Sequence, residues 1–302
     1  SEMCIRDRFP LFSSVVFVFG MLNAKRAISL GASPWTSTVL ANFWLAAGWG
    51  LCGVLTGQLL PAAGWWQAAL VALSFVAGQV FTYFAYQFGD VSVATPVFGV
   101  KVIIVAVLLS GLAGEPISGP VWAGAALATL GVGLIQAGAA AGDRSDRSFL
   151  RSVLTIGLAL LAATSLSLFD AGLQLWGRQW GASQFLPAMF VCTGLWSCAL
   201  LPFANRPRQL RGTPALTPLL IGTLLMALQA MSMSWSLSRF GDATRINIVY
   251  ALRGLWAVAL ARLLSGTFVT AERQLSRRVM LVRLTGAVLL TASVVIALSD
   301  RG

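Results

Sequence analysis

The sequence contains no histidine and few charged residues. Histidine is absent from all 302 residues, and Asp, Glu, Lys and Arg together make up 10%. The absence of histidine excludes Ser-His-Asp triads, Cys-His nucleophile pairs and histidine metal sites. No GxxxxGK[ST] motif occurs, so the chain lacks a recognisable phosphate loop for ATP hydrolysis. We therefore expect no enzyme activity, no cofactor and no metal.

The low charge also excludes a soluble globular fold. Hydrophobic residues make up 57% of the chain, and a soluble domain carries about 25% charged residues. A membrane-spanning helix needs ~20 apolar residues, and runs of this length recur without the alternation that a β-barrel requires. The sequence predicts an all-α integral membrane protein with ten transmembrane helices. The apolar segments are residues 9–29, 35–56, 65–87, 91–112, 119–139, 152–175, 184–203, 216–238, 242–264 and 280–298.

Acidic residues are scarcer than basic ones. The chain has 21 Lys+Arg and 10 Asp+Glu, a formal net charge of +11. Basic residues at helix ends are typical of contact with lipid headgroups. No basic run is interleaved with a polar or aromatic binding surface, so we expect a lipid bilayer and no nucleic acid as partner.

The chain repeats itself. Residues 87–109 align without gaps on residues 239–261, with Phe88, Gly89 and Asp90 meeting identical residues and Lys101 meeting Arg253. Residues 123–135 then align on 285–297. The repeats predict two five-helix halves, 9–140 and 152–298, joined by a linker at 141–151. Residues 1–8, SEMCIRDR, match nothing downstream, and we interpret them as a non-native scar.

An odd number of helices in each half has a physical consequence. The second half then enters the membrane from the opposite side, so the two repeats are inverted. Inverted repeats are typical of secondary transporters, in which exchange of the two conformations gives alternating access. Duplication retained only for stability is the alternative.

Motifs in both halves carry a family resemblance. Each half has a Gly-Asp helix entry, a turn with glutamate, and a helix rich in small residues. They are GDVSVATPVFGV (89–100), AGEPIS (113–118) and WAGAALATLGVGLI (122–135), then GDATRINIVYAL (241–252), AERQLS (271–276) and LTGAVLLTASVVIA (284–297). In this order they resemble the drug/metabolite transporter superfamily, EamA-like. The resemblance implies a ten-helix secondary transporter. The sequence departs from the family pattern at Ala271, where the turn has glycine in the first half, in a last loop about ten residues longer than its counterpart, and in the charged pair of helices 4 and 9.

Two basic residues fall deep inside apolar segments. Lys101 and Arg253 lie about nine and eleven residues into their segments, near the bilayer midplane at ~1.5 Å per residue. Exposing either to lipid would cost at least ~2.5–3.5 kcal/mol. Two equivalent cations near one cavity predict an anion-binding site. They also resemble the basic residues that helices 4 and 9 contribute in the triose-phosphate and nucleotide-sugar branches of the superfamily. An internal pair with a protein carboxylate such as Asp170 is the alternative.

Other polar and aromatic residues are further candidates. Asp170, in the sixth segment, is a possible coupling group, a partner for Arg253, or an interfacial residue exposed to water. Helical spacing puts Phe98 and Tyr250 within one turn of the two cations, where they stack on a substrate or simply pack the bundle. The remaining candidates for substrate binding are Asn247, Gln79 and Tyr83.

The hypotheses on function follow from these residues. The first is a secondary transporter for a small organic metabolite, anionic or zwitterionic, in the bacterial inner membrane. The second is a broad exporter of amino acids or amphipathic drugs, and the third an integral-membrane enzyme or scaffold. The oligomeric state stays open between monomer and homodimer. Orientation stays open too, because the resemblance implies cytoplasmic termini whereas the charge distribution opposes them.

Overall fold

The regular structure of the chain is helical. The computed structural model describes residues 2–88, 99–112, 114, 116–140, 149–256 and 277–299, and no strand occurs among them. The main helices are α1 Glu2–Ser29, α2 Pro34–Thr56, α3 Trp65–Phe88, α4 Lys101–Leu112, α5 Gly119–Ala140, α6 Phe149–Trp180, α7 Ala182–Ser197, α8 Leu216–Phe240, α9 Ala243–Tyr250 and α10 Arg277–Ser299. Short helical turns cover Ala62–Gly64, Cys198–Phe203 and Pro207–Leu210. The predicted all-α class is confirmed for the described residues.

Six helical stretches of the described chain are long and apolar enough to cross a membrane. They are Arg8–Ser29, Pro34–Thr56, Ala62–Ala85, Val153–Trp180, Ala182–Phe203 and Leu216–Phe240. Helices satisfy every backbone hydrogen bond within one segment, which is why long apolar runs adopt them in lipid. The chain is therefore a multi-pass membrane protein. Shorter apolar helices cover Lys101–Gly111, Gly119–Leu134 and Leu284–Ser299.

The helices group into two compact units. Residues 1–77 and 169–242 form the first unit, and residues 78–168 and 243–302 form the second. Each unit therefore combines segments from both halves of the chain.

In the first unit, helices from the two halves pack as antiparallel pairs. Gly20 of α1 faces Met226 of α8, and Ser13 Oγ donates to the Gln229 carbonyl oxygen at 3.1 Å. Between α2 and α7, Asn42 Nδ2 donates to Ser197 Oγ at 2.8 Å. A Cβ atom on Gly53 would lie 2.8 Å from Pro187 Cβ. Rising residue numbers on one helix meet falling numbers on its partner, which identifies both pairs as antiparallel.

Aromatic rings join the start of α3 to the end of α6 in the same unit. The rings of Phe75 and Phe169 have centroids 4.5 Å apart, and those of Trp66 and Trp176 are 5.6 Å apart. Offset and edge-on ring pairs at such distances add to the burial of apolar area. This pair is antiparallel as well.

In the second unit, α5 and α10 approach backbone to backbone. A Cβ atom on Gly131 would lie 2.8 Å from the Gly286 carbonyl oxygen, and one on Gly124 would lie 3.2 Å from the Ser293 carbonyl oxygen. Only a glycine permits such an approach at 131 without displacement of the partner backbone. Helix α9 packs on this pair through Ile248, which shares a buried cluster with Ala125 and Leu290.

Candidate functional site

The two predicted cations each follow a turn of the chain. Helix α9 ends at Tyr250, Ala251 and Leu252 form a turn, and the chain is helical again from Arg253 to residue 256. Helix α4 begins at Lys101, directly after a turn at residues 99–100. The predicted segment 242–264 therefore contains a turn at residues 251–252. The Leu252 and Gly254 amides bond to carbonyl oxygens three residues back, at 3.1 Å each, which tightens the backbone at this point.

The two turns occupy equivalent positions in the internal repeat. The alignment that matches Lys101 with Arg253 also matches residues 99–100 with residues 251–252. Each half therefore has a turn, then a cation, then a helical stretch. The positive end of the α4 macrodipole lies at Lys101, so the ammonium group and the helix favour an anion together.

Two hydroxyl groups lie at the start of α4. Thr129 Oγ1 donates to the Gly99 carbonyl oxygen at 3.1 Å. Ser167 Oγ donates to the Ala163 carbonyl oxygen of its own helix at 2.7 Å and lies 3.2 Å from the Lys101 carbonyl oxygen. Ser167 is fully buried. Neither hydroxyl was singled out from the sequence, although a polar group inside an apolar segment needs a partner and gives a signal of this kind.

Helices α4 and α9 bring the two cation-bearing segments together. Val102, which follows Lys101, belongs to the same buried cluster as Ile248 and Ala251, and Leu252 packs against that cluster. The residues next to Lys101 and Arg253 in the chain therefore pack in or against the same buried cluster. Lys101 and Arg253 are themselves partly exposed.

Arg253 stacks on an aromatic ring. Its guanidinium carbon lies 4.4 Å from the centroid of the Tyr250 ring, and Tyr250 is 7% exposed. A cation this close to an aromatic ring gains a cation–π interaction, and arginine also has a planar set of N–H donors that suits a carboxylate or phosphate. The predicted proximity of Tyr250 and Arg253 is therefore present in the structure.

The remaining candidates of the second unit differ in their surroundings. Asn247 is 3% exposed, and its side-chain amide donates to the Ala243 carbonyl oxygen at 2.9 Å within α9. Gln79 and Tyr83 are partly exposed and lie four residues apart on α3, so they share a helix face. Phe98 lies outside the described residues.

Asp170 belongs to the first unit. It lies ten residues before the end of α6 and is 1% exposed. The interpretation of Asp170 as an interfacial residue exposed to water is therefore wrong. The neighbouring Phe169 packs on Phe75, which holds this face of α6 against α3.

Comparisons with known proteins support the fold alone. Neither a family model nor a curated protein matches the chain. One solved structure, described as "Crystal structure of protein", is similar with a TM-score of 0.70 and 15% sequence identity. The similarity covers 95% of this chain and 94% of that chain. The chain therefore shares a whole fold with a protein of known structure.

Proposed function

We propose that the chain is a secondary transporter of the EamA-like type in the drug/metabolite transporter superfamily. It moves a small organic metabolite with a carboxylate or phosphate group across the bacterial inner membrane. Ten helices form two inverted repeats whose alternate conformations expose the substrate to each side in turn. Lys101 and Arg253 bind the anionic group, and no cofactor takes part.

The contact between α5 and α10 supports the inverted repeat. The internal alignment matches Gly124 with Gly286 and Gly131 with Ser293. The contact of Gly124 with Ser293 is therefore the counterpart of the contact of Gly131 with Gly286. Reciprocal contacts of this kind are the mark of a twofold axis. Because the two helices are antiparallel, that axis is perpendicular to them.

The proposal of an anion-binding site rests on one observation, which is that each half has a turn followed by a cation at equivalent positions. Charges at this depth are costly and are typical of substrate or ion pathways in membrane proteins. In transporters built from repeats, the N-termini of discontinuous helices point at anionic groups of the substrate. The stacking of Arg253 on Tyr250 adds a group oriented for two-point contact with an oxyanion.

A broad exporter of amino acids or amphipathic drugs is the second candidate. In that case protein groups neutralise Lys101 and Arg253, and the substrate does not.

Transport and anion binding are tested on the purified protein in one experiment. Counterflow in liposomes against a panel of phosphorylated and carboxylated metabolites identifies the substrate. We expect Lys101→Gln and Arg253→Gln each to weaken binding about ten- to a hundredfold, since a charge-assisted contact contributes roughly 1.5–3 kcal/mol. The control is Arg239→Gln, which removes an exposed charge at the end of α8 and leaves binding unchanged.

The outcomes separate the candidates. Unchanged anion binding in both variants would end the anion-site proposal and favour the exporter. The exporter predicts that Arg253→Gln chiefly lowers thermal stability. Product formation without translocation would indicate an enzyme, and neither translocation nor product would indicate a scaffold.

A further inference from the structure

Five basic side chains gather at one end of the first unit. They come from the end of α1 and from the segment between α7 and α8, and all of them are exposed. We call them the basic patch: Lys25, Arg26, Arg206, Arg208 and Arg211.

Hydrogen bonds hold the two parts of the patch together. Asn205 Oδ1 accepts from the Ser33 amide and from Thr36 Oγ1, the latter at 2.9 Å, and Ser33 Oγ donates to the Phe203 carbonyl oxygen at 3.3 Å. Leu210, between the arginines, is buried in a cluster with Ala27, next to Arg26. The arginines of one segment are therefore fixed beside the cations of the other.

The sequence around the patch has no compensating acids. Residues 23–36 and 203–215 contain neither Asp nor Glu. Asp170 lies in the middle of α6, and Asp242 follows the far end of α8. The patch therefore joins positive charges from two segments that carry no acidic residue of their own.

Apolar side chains beside the patch point to a lipid and not to a soluble anion. Leu30, Leu201 and Phe203 are all exposed, Phe203 by 62%. The patch lies where the spanning stretches Arg8–Ser29, Pro34–Thr56, Ala182–Phe203 and Leu216–Phe240 begin or end, which is the level of lipid headgroups. A phospholipid matches both features, since its phosphate meets the cations and its acyl chains meet the apolar side chains.

We propose that the basic patch is a binding site for an anionic phospholipid headgroup. The phosphodiester contacts Arg206, Arg208 and Arg211, with Lys25 and Arg26 adding to the field. Each basic residue near a membrane surface contributes about fivefold in affinity for anionic lipid. This site is distinct from the proposed substrate site and does not depend on transport.

The test uses the full chain in an uncharged detergent, titrated with dioctanoyl phosphatidylglycerol and followed by thermal shift. Dioctanoyl phosphatidylcholine has the same chains with a neutral headgroup, and glycerol 3-phosphate has the phosphate without the chains. We expect phosphatidylglycerol to bind most tightly. The variant R206Q/R208Q/R211Q loses on the order of a hundredfold in affinity, and R208Q alone loses about fivefold.

Matched variants distinguish a specific binding site from a non-specific effect of the positive charge of the protein. R206K/R208K/R211K keeps the positive charge, and we expect its affinity for phosphatidylglycerol to stay within about fivefold of that of the unmodified chain. R239Q, with an exposed arginine at the far end of α8, binds as the unmodified chain does. Equal losses in R208Q and R239Q would overturn the site, as would unchanged binding in R208Q. Binding of glycerol 3-phosphate as tight as that of phosphatidylglycerol would also overturn it, in favour of a soluble anion.

Discussion

At the residue scale, Asn205 links two loops through one oxygen atom. Its Oδ1 accepts from the Ser33 amide and from Thr36 Oγ1, while its own backbone amide donates to the same Thr36 oxygen at 2.7 Å. Ser33 also caps α2, accepting from the Trp35 amide at 3.3 Å. One side-chain oxygen therefore fixes both the start of α2 and the approach of the α7–α8 segment.

Replacement of Asn205 separates the role of this oxygen from that of the side chain as a whole. Asn205→Ala removes both accepted bonds, and we expect a loss of roughly 1–2 kcal/mol in stability. Asn205→Asp keeps an oxygen acceptor and adds a negative charge beside Arg206 and Arg208, so it is as stable as the unmodified chain or more so. Thermal unfolding in detergent measures both. Equal destabilisation by Ala and Asp would contradict the role of the oxygen.

At the element scale, glycines determine how closely α5 and α10 pack. The Gly131 site meets backbone atoms of α10, with the Leu290 amide nitrogen 2.9 Å from a Cβ position. Gly133, on the same helix two residues on, has nothing within 4 Å of such a position. Substitution of Gly131 therefore tests close packing, whereas substitution of Gly133 on the same helix tests helix propensity alone.

Substitution by alanine tests this contact. Gly131→Ala forces the helices apart, and overpacking of this kind costs about 1–3 kcal/mol. Gly133→Ala meets no atom and gains helix propensity of up to about 1 kcal/mol. We expect a lower melting temperature for the first variant and an equal or higher one for the second. If both variants changed stability alike, the close approach of α5 and α10 would be refuted.

At the scale of the whole molecule, the antiparallel pairs assign the ends of the first unit to opposite membrane faces. The exposed Gln209 lies next to Arg208 of the basic patch. The exposed Gln179 lies near the end of α6, where Gly177 packs against Ser238 near the end of α8. Helix α8 runs from the patch end of the unit to that other end.

Cysteine labelling tests this arrangement in cells. In a background without native cysteines, Gln209→Cys and Gln179→Cys are treated with a membrane-impermeant maleimide. We expect only one to react before the membrane is permeabilised. The positive-inside rule predicts that Gln179→Cys reacts and that Gln209→Cys is protected. The family resemblance implies the reverse pair, and reaction of both from one side would refute the antiparallel packing.

One contact within the candidate site was expected from helical spacing. The internal alignment paired Lys101 with Arg253, and helical spacing put Tyr250 within one turn of Arg253, as the 4.4 Å contact confirms. The interruption before Arg253 was not predicted, because Ala251 and Leu252 are ordinary helix formers. The approach of Ser167 to the Lys101 carbonyl oxygen was missed because the two residues are 66 positions apart in the chain.

The helical class and most helix bounds follow from the order of the amino acids alone. Apolar run length and the need to satisfy backbone groups in lipid are local properties, so they are visible in one segment at a time. The burial of Asp170 and the turns before Lys101 and Arg253 depend instead on how the helices pack. The same is true of the combination of segments from both halves in each unit. These features depend on which face of a helix meets which neighbour, and that choice is made by close packing between residues far apart in the sequence.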